Sequence, residues 1–405
     1  MGLLDFLKTR RPEDRFAERA IRRLRERGWP HAVTYNAADF SLDAGAGAGV
    51  LYLGNIFTDW RTYPKAQQAE QLDRALNLVF ELTLEMPFED AADRLMPVVR
   101  NLMHLQATAL SSEEKPSTEL WQPYRTLVAP LGVLVAIDQP TSVAMISHDM
   151  LQKWGVSFDA ALERAMENLV PLSPVKFEPT EGGFHLSAYE DAYHSSRVLM
   201  PELFPAIQVR GNPVAVVISR TCVAVAGSLE TEALIAMAHF AVDAVADETR
   251  PTSCLPIVLR DGVWEPFEPE AEELAPLRDL ALRQAFLDYN GQAPMLEAYL
   301  AHKGLDAFVA PLEVTEADDG AHSWTSWIED VPALLPRADA LALKTGDDRR
   351  LIRRWADVEA VCGRFDADTS LHPTRFTPPA WPSDDAWRRL ESEFSEPTWL
   401  SFNAS

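Results

Sequence analysis

Cysteine is scarce in this 405-residue chain. The three that occur, Cys222, Cys254 and Cys362, lie far apart, their odd number leaves one over in any pairing, and no C-x-x-C pair is present. That usage excludes a disulfide framework and fits a reducing compartment, so a cytoplasmic location is expected. Long apolar runs are also missing: none approaches the roughly 20 residues that cross a bilayer, so no membrane insertion is expected. The apolar patch at Leu3, Leu4, Phe6 and Leu7 is interrupted by Asp5 and followed by no small-residue cleavage site, which argues against a signal peptide. Phe6 stands where myristoylation at Gly2 would need Ser or Thr. No H-E-x-x-H, H-x-H or Cys/His spacing points to a metal, and no cofactor is expected. The glycine run Gly45-Ala-Gly47-Ala-Gly49 opens a strand rather than a helix, so it reads as a hairpin turn and not as a phosphate loop.

What the chain does have is acid. Against 37 Lys and Arg stand 61 Asp and Glu, a net charge of −24. Charge of this size repels nucleic acid and anionic lipid. It is uneven, because Lys8 to Arg27 holds nine basic and four acidic residues. The pattern predicts a helix over 12–27, opened by Pro12 and closed at Gly28, with Phe16, Ala20, Ile21 and Leu24 facing a core. A solvated basic face is the reading adopted; a nucleic-acid contact through this helix is the alternative.

Hydrophobic residues make up 47% of the chain, enough for a sizeable core in each of two or three domains. Short strands are expected over 31–42, 127–138, 141–147, 255–259 and 262–267, with a hairpin over 213–226 turning at Arg220 and Thr221. Helices are expected over 66–85, 90–105 (started or kinked at Pro97), 150–168, 188–203 and 231–245. Hairpins recur and the alternation is irregular, so the fold class is α+β, with mixed and antiparallel sheets and packed helices. The body is expected over 1–264, with a subdomain split near 106–126. An acidic linker at 265–273 then leads to a smaller Trp- and Pro-rich α+β region over 274–405.

The stretch from Val128 to Leu169, with "LGVLVAIDQPTSV" and "WGVSFDAALERAMENL", resembles the YtpQ-like family of bacterial proteins, a domain of unknown function. "LMPVVRN" at 95–101, "YEDAYHSSRVLMPELF" at 189–204 and "GNPVAVVISRTCVAVAG" at 211–227 extend the resemblance over residues 10–270. These are packing motifs. The resemblance implies an α+β body and assigns no reaction, cofactor or catalytic residue.

The richest polar cluster is Tyr189, Asp191, Tyr193, His194, Ser195 and Ser196. Read as a helix, it sets Asp191, His194 and Ser195 on one face, and these are the residue types of nucleophilic catalysis. His148 beside Asp149 is a further acid–base candidate, although Ser147 or Asp149 reads first as a helix N-cap. Arg349, Arg350, Arg353 and Arg354 read as a solvated helix face. Trp324, Trp327 and Trp381 crowd the C-terminal part with Trp355 and Trp387 and are candidate interface anchors, as are Tyr189 and Tyr193. The function expected is a non-catalytic protein-binding or scaffold module, in a defence or toxin-immunity setting where an acidic protein neutralises a basic partner. A hydrolase using Asp191, His194 and Ser195 is the alternative.

Overall fold

The computed structural model describes residues 11–37, 40–44, 50–82, 86–112, 116–139, 143–248, 251–269, 271–317, 320–347 and 349–400. Lys8, the apolar patch before it and the glycine run 45–49 lie outside the described residues. In chain order the elements begin α1 (Pro12–Glu26), β1 (Thr34–Asn36), β2 (Ser41–Asp43), β3 (Val50–Tyr52), α2 (Leu53–Thr62), α3 (Gln68–Leu82), α4 (Phe88–Ala92), β4 (Leu95–Asn101) and α5 (Leu102–Leu110). They continue with β5 (Arg125–Val128), β6 (Leu131–Asp138), β7 (Val143–Met145), α6 (His148–Trp154), α7 (Phe158–Leu169), β8 (Phe177–Pro179), β9 (His185–Ser187), β10 (Pro213–Ser219), β11 (Cys222–Gly227) and α8 (Thr231–Asp247). Then come β12 (Pro256–Arg260), β13 (Val263–Pro266), α9 (Ala275–His302), β14 (Phe308–Val309), β15 (Glu313–Ala317), β16 (Gly320–Ile328), β17 (Ala333–Leu334) and β18 (Ala340–Lys344). The last are β19 (Arg350–Arg354), α10 (Trp355–Cys362), β20 (Asp366–Asp368), β21 (Arg375–Thr377) and α11 (Asp384–Glu393). Antiparallel and mixed sheets with packed helices make this an α+β fold. The chain forms two compact units, residues 1–96 with 135–168 and residues 97–134 with 169–405.

In the first unit α1 starts on Pro12, whose missing N–H falls where no intrahelical bond is lost, and Glu13 and Asp14 complement its N-terminal dipole. Its buried stripe, Phe16, Ala17, Ala20 and Leu24, packs with Trp29, Leu42, Leu53, Phe57, Leu72 and Leu76. Strands β1, β2 and β3 form an antiparallel meander. Ser147 caps α6, its Oγ accepting from the Met150 amide at 3.2 Å, and Gly155 ends the helix in the left-handed conformation at φ 67°. Asn168 donates to the carbonyls of Ala92 and Leu95 at 2.8 and 2.9 Å and so fixes the approach to β4.

In the second unit six strands form an antiparallel sheet in the order β13-β12-β10-β11-β9-β8. Alternation gives it two faces. Val214, Val216, Ile218, Ala224, Ala226 and Val258 pack on α8 and on the start of α9. The opposite face carries Ala215, Val217, Val223 and Val225, with His185 and Ser187 in register beside them. Against β10 and β11 on that side lies a 3-10 turn at His194–Leu199, followed by another at Pro201–Ala206.

Helix α9 is the spine of this unit. Leu277 and Leu280 belong to the core of α8 and the six-stranded sheet. Leu296 and Leu300 join Leu110, Val309 and Leu371 in another core. Between them runs a buried polar stripe, Gln284, Asp288 and Gln292, at helical spacing. A mixed sheet, β15-β16-β18-β19, holds the C-terminal part, with β16 and β18 parallel. One face buries Trp327, Leu341, Leu343 and Leu351 with Trp355, Phe365 and Trp387. The other packs Ala340, Ala342 and Ile352 with Trp324 and Trp399.

Three local expectations differ from the structure. Residues 95–101 are a strand: Leu95, Met96, Val98 and Val99 are all buried, so both faces are covered and the run needs no helical period. Residues 188–203 form no continuous helix, because Pro201 and Pro205 remove donors and the Asp191 carboxylate binds the Tyr193 amide at 2.8 Å in an Asx turn. Most of the basic run, Arg350–Arg354, is an edge strand paired with β18, and Arg353 is buried, its Nε donating to the Leu390 carbonyl at 2.7 Å.

The acidic segment 265–273 is anchored at described residues on both sides of position 270. Phe267 and Leu274 are buried in the core with α8, and Arg278 donates to the carbonyls of Pro269 at 3.1 Å and Ala271 at 2.8 Å.

Candidate functional site

The polar cluster sits on the face of the six-stranded sheet opposite α8. Strand β9 supplies Ser187, whose Oγ accepts from the Val223 amide at 2.9 Å and lies 2.9 Å from His194 Nδ1. The hydroxyl keeps a second acceptor lone pair and its own O–H, so which atom of the Ser187–His194 pair donates follows the imidazole tautomer. Burial pushes the His194 imidazole below its ordinary value, in keeping with a neutral ring. Its ring also meets Tyr189 edge-on, with centroids 5.4 Å apart.

Asp191 faces the other way. Its two oxygens each accept from Arg197, Nη1 to Oδ1 and Nη2 to Oδ2, both at 2.7 Å. Arg197 is fully buried; it also donates to the Leu172 carbonyl at 2.8 Å and lies 3.9 Å from the Tyr189 ring centroid. Burial raises the Asp191 carboxyl, but the Arg197 hydrogen bonds, the Tyr193 amide and the guanidinium charge outweigh it and hold the group below the usual carboxylate range. Ser196 Oγ donates to the Pro97 carbonyl at 2.7 Å. Ser195 Oγ is buried with no hydrogen-bond partner among the described residues, and Arg197 Nε is in the same position.

The three triad candidates are therefore brought close in the chain but are not wired as a triad. Asp191 orients Arg197 rather than His194, and His194 bonds Ser187 rather than Ser195. Tyr189 and Tyr193 are both buried beside them. His148 is exposed at the first position of α6. Trp327 is buried, edge-on to Phe365 and Trp381 at 5.6 and 5.0 Å, so it fills the C-terminal core. Trp381 is half-buried on the same core, and Trp324 is half-buried on the other face of the sheet, its Nε1 donating to Thr315 Oγ1 at 3.2 Å.

Sequence reasoning missed two further polar centres. Asp288, 3% exposed, accepts from Asn101 Nδ2 at 3.0 Å and Gln284 Nε2 at 2.8 Å, while Gln284 Oε1 accepts from the Cys254 amide at 2.6 Å. Burial raises the Asp288 carboxyl to about 6. Arg375 is fully buried and spends its donors on Gln292 Oε1 at 2.7 Å and on the carbonyls of Ala310 and Tyr289 at 2.5 and 2.8 Å. Burial lowers it to about 10. The only signal available was the i, i+4, i+8 spacing of Gln284, Asp288 and Gln292 on an otherwise apolar helix face. Burial also pushes the thiols up, to about 11 at Cys222 and Cys362 and about 12 at Cys254, which keeps them protonated and poor nucleophiles. Among the described residues, no group of three His, Cys, Asp or Glu side chains is arranged to hold a metal ion, and no helix is long and apolar enough to cross a membrane.

The chain is similar to UPF0354 proteins of three Listeria species. It is 27% identical over 177 residues to those of Listeria innocua and Listeria welshimeri, covering 43% of this chain and 64% of theirs. To one of Listeria monocytogenes it is 26% identical over 183 residues, 44% of this chain and 66% of that protein. The match thus spans just under two thirds of the relatives' own length. They form an uncharacterised bacterial family, and their names carry no activity. No family model matches the chain, and no solved structure matches it.

Proposed function

We propose that the protein is a non-catalytic binding or scaffold module whose ligand is another protein. The observation that carries this reading is the internal commitment of the reactive side chains. Both Asp191 oxygens are taken by Arg197 and His194 Nδ1 is taken by Ser187, so the cluster holds a 3-10 turn on the sheet instead of facing a substrate. The net charge of −24 favours a basic partner, as in toxin neutralisation or defence. Part of that charge stands on the anchored segment where Glu265, Glu268, Glu272 and Glu273 are exposed. A YtpQ-like identity over residues 10–270 and a cytoplasmic location belong to the same reading.

The test is affinity capture from native-host lysate at low ionic strength, with the wild type and with the triple variant Glu268→Lys, Glu272→Lys, Glu273→Lys. A basic protein retained by the wild type, released by salt and lost by the variant supports the reading. No stable partner for the wild type counts against it. One observation favours a hydrolase instead: the unpartnered Ser195 hydroxyl next to a neutral imidazole. Ester hydrolysis abolished by Ser195→Ala and by His194→Ala would establish that alternative.

A further inference from the structure

The first unit carries a basic cleft that the binding reading does not use. It lies between α1 and α3 and has a volume of about 310 Å³. Helix α1 contributes Arg19, Arg22 and Arg23 at i, i+3 and i+4, so the three share one face; Lys65 and Gln68 close the other side, and Leu72 forms the floor. Arg23 is already spent. Its Nε and Nη2 bind both oxygens of Asp73 at 2.5 and 2.6 Å, and its Nη1 binds Glu26, the one acid among the described lining residues, at 3.0 Å. Four cations, Arg19, Arg22, Arg23 and Lys65, thus stand against two carboxylates, Glu26 and Asp73, and the local surplus of two positive charges is carried by the three cations that Arg23 leaves unspent.

Arg22 and Lys65 are exposed and have no ion-pair partner among the described residues. Arg19 lies over the Trp60 ring, 4.9 Å from its centroid, which fixes the guanidinium plane while leaving its N–H edges free. Trp60 is itself held, its Nε1 donating to the Gln68 carbonyl at 2.9 Å. Three cations from two sides of a small cleft, one of them pre-oriented, stand out on a chain of net charge −24. The volume is at the low end for a ligand pocket, too small for a duplex or a folded partner but matched to a short multiply charged group. Arginine forks bind phosphate oxygens in pairs, and the lysine adds a mobile point charge. We propose that this cleft binds a compact polyvalent phosphate anion, of the di- or triphosphate class, through Arg19, Arg22 and Lys65.

The test is titration calorimetry of the full chain with inorganic tripolyphosphate, free of divalent metal, at low and at physiological ionic strength. Saturable one-to-one binding is expected, weakening as salt rises. Arg22→Ala and Lys65→Ala should each weaken it by about tenfold, the loss expected for one charged hydrogen-bond contact. Arg25→Ala, an exposed change on α1 outside the cleft, should leave it unchanged. Two further arms, phosphatidylglycerol vesicles and a 5′-phosphorylated oligonucleotide, identify the source: binding of either, lost in Arg22→Ala, assigns the same phosphate chemistry to a headgroup or a nucleic-acid end. No saturable binding of tripolyphosphate overturns the proposal, even if vesicles or oligonucleotide bind. Equal weakening by Arg25→Ala and Arg22→Ala also overturns it, because the effect would then be one of general charge.

Discussion

Replacing Asp191 by alanine strands a fully buried guanidinium. Arg197 would keep the Leu172 carbonyl and the Tyr189 ring but lose both short bonds to its counter-charge. Breaking a buried ion pair from one side costs about 3–5 kcal/mol. The Asp191 side chain is 31% exposed, so water can enter the vacated position, and the low end, about 3 kcal/mol, is the appropriate figure. Arg197→Met removes the charge and keeps most of the packing volume. The double variant Asp191→Ala, Arg197→Met is therefore expected to be more stable than the two single losses added together, with a coupling of at least about 1 kcal/mol. The assay is urea unfolding, read by hydrogen exchange at the amides of residues 194–199 so that the second unit is followed directly. For a slope of about 3 kcal/mol per molar, the Asp191→Ala midpoint falls by about 1 M. The same contribution should be lost with acid: a carboxyl held below its unfolded value stabilises above that value, and the gain disappears as pH falls below about 4. A midpoint shift of less than about 0.3 M, or a double variant at the plain sum, would refute the reasoning.

Asp288 has the opposite sign. Its folded value of about 6 lies above the unfolded one, so the native state binds the extra proton and stability falls as pH rises from about 4 to 6. In Asp288→Asn that slope should vanish in a pH series of urea midpoints, and a slope that persists would contradict the assignment. At Gly227 an added Cβ would stand 2.2 Å from the Arg210 carbonyl oxygen and 2.7 Å from its amide nitrogen, backbone atoms that cannot swing aside. Gly227→Ala should therefore cost about 3 kcal/mol by thermal or urea unfolding, and a neutral result would mean that the 210–211 backbone yields. The proposed division of the chain, a body over 1–264 and an accessory region over 274–405, is checked with glutamyl endopeptidase. The bonds from Arg278 predict slow cleavage at 265–273, whereas rapid cutting with separation of two stable pieces would establish independent halves.

Elements with a clear period or a clear turn were legible in the sequence. Helices α1 and α8 fall where their apolar spacing puts them, and the β10–β11 hairpin, buried on both faces, was marked instead by its polar turn at Arg220 and Thr221. The strand at 95–101 was not legible, because a run buried on both faces has no period to distinguish it from a helix. At 188–203 a helical reading set Asp191, His194 and Ser195 on one face, whereas the Asx turn and Pro201 break the run and turn the acid toward Arg197. Ser187 and Arg197 gave no sequence signal, since their partners come from β11, the Asp191 turn and the Leu172 carbonyl through tertiary packing. The tryptophans were visible as a cluster, but whether they face a core or a surface depended on the β16–β18 register, which places Trp327 against Leu343 on the filled face.

The central claim is that this chain works by holding another protein. The most direct measurement is the mass of the species carrying it, purified from the native host at low ionic strength and again at high salt. The account predicts a complex with a basic second polypeptide at low salt, a lone chain at high salt, and no complex for the Glu268→Lys, Glu272→Lys, Glu273→Lys variant. A lone chain at every salt concentration, with ester hydrolysis that His194→Ala abolishes, would contradict it.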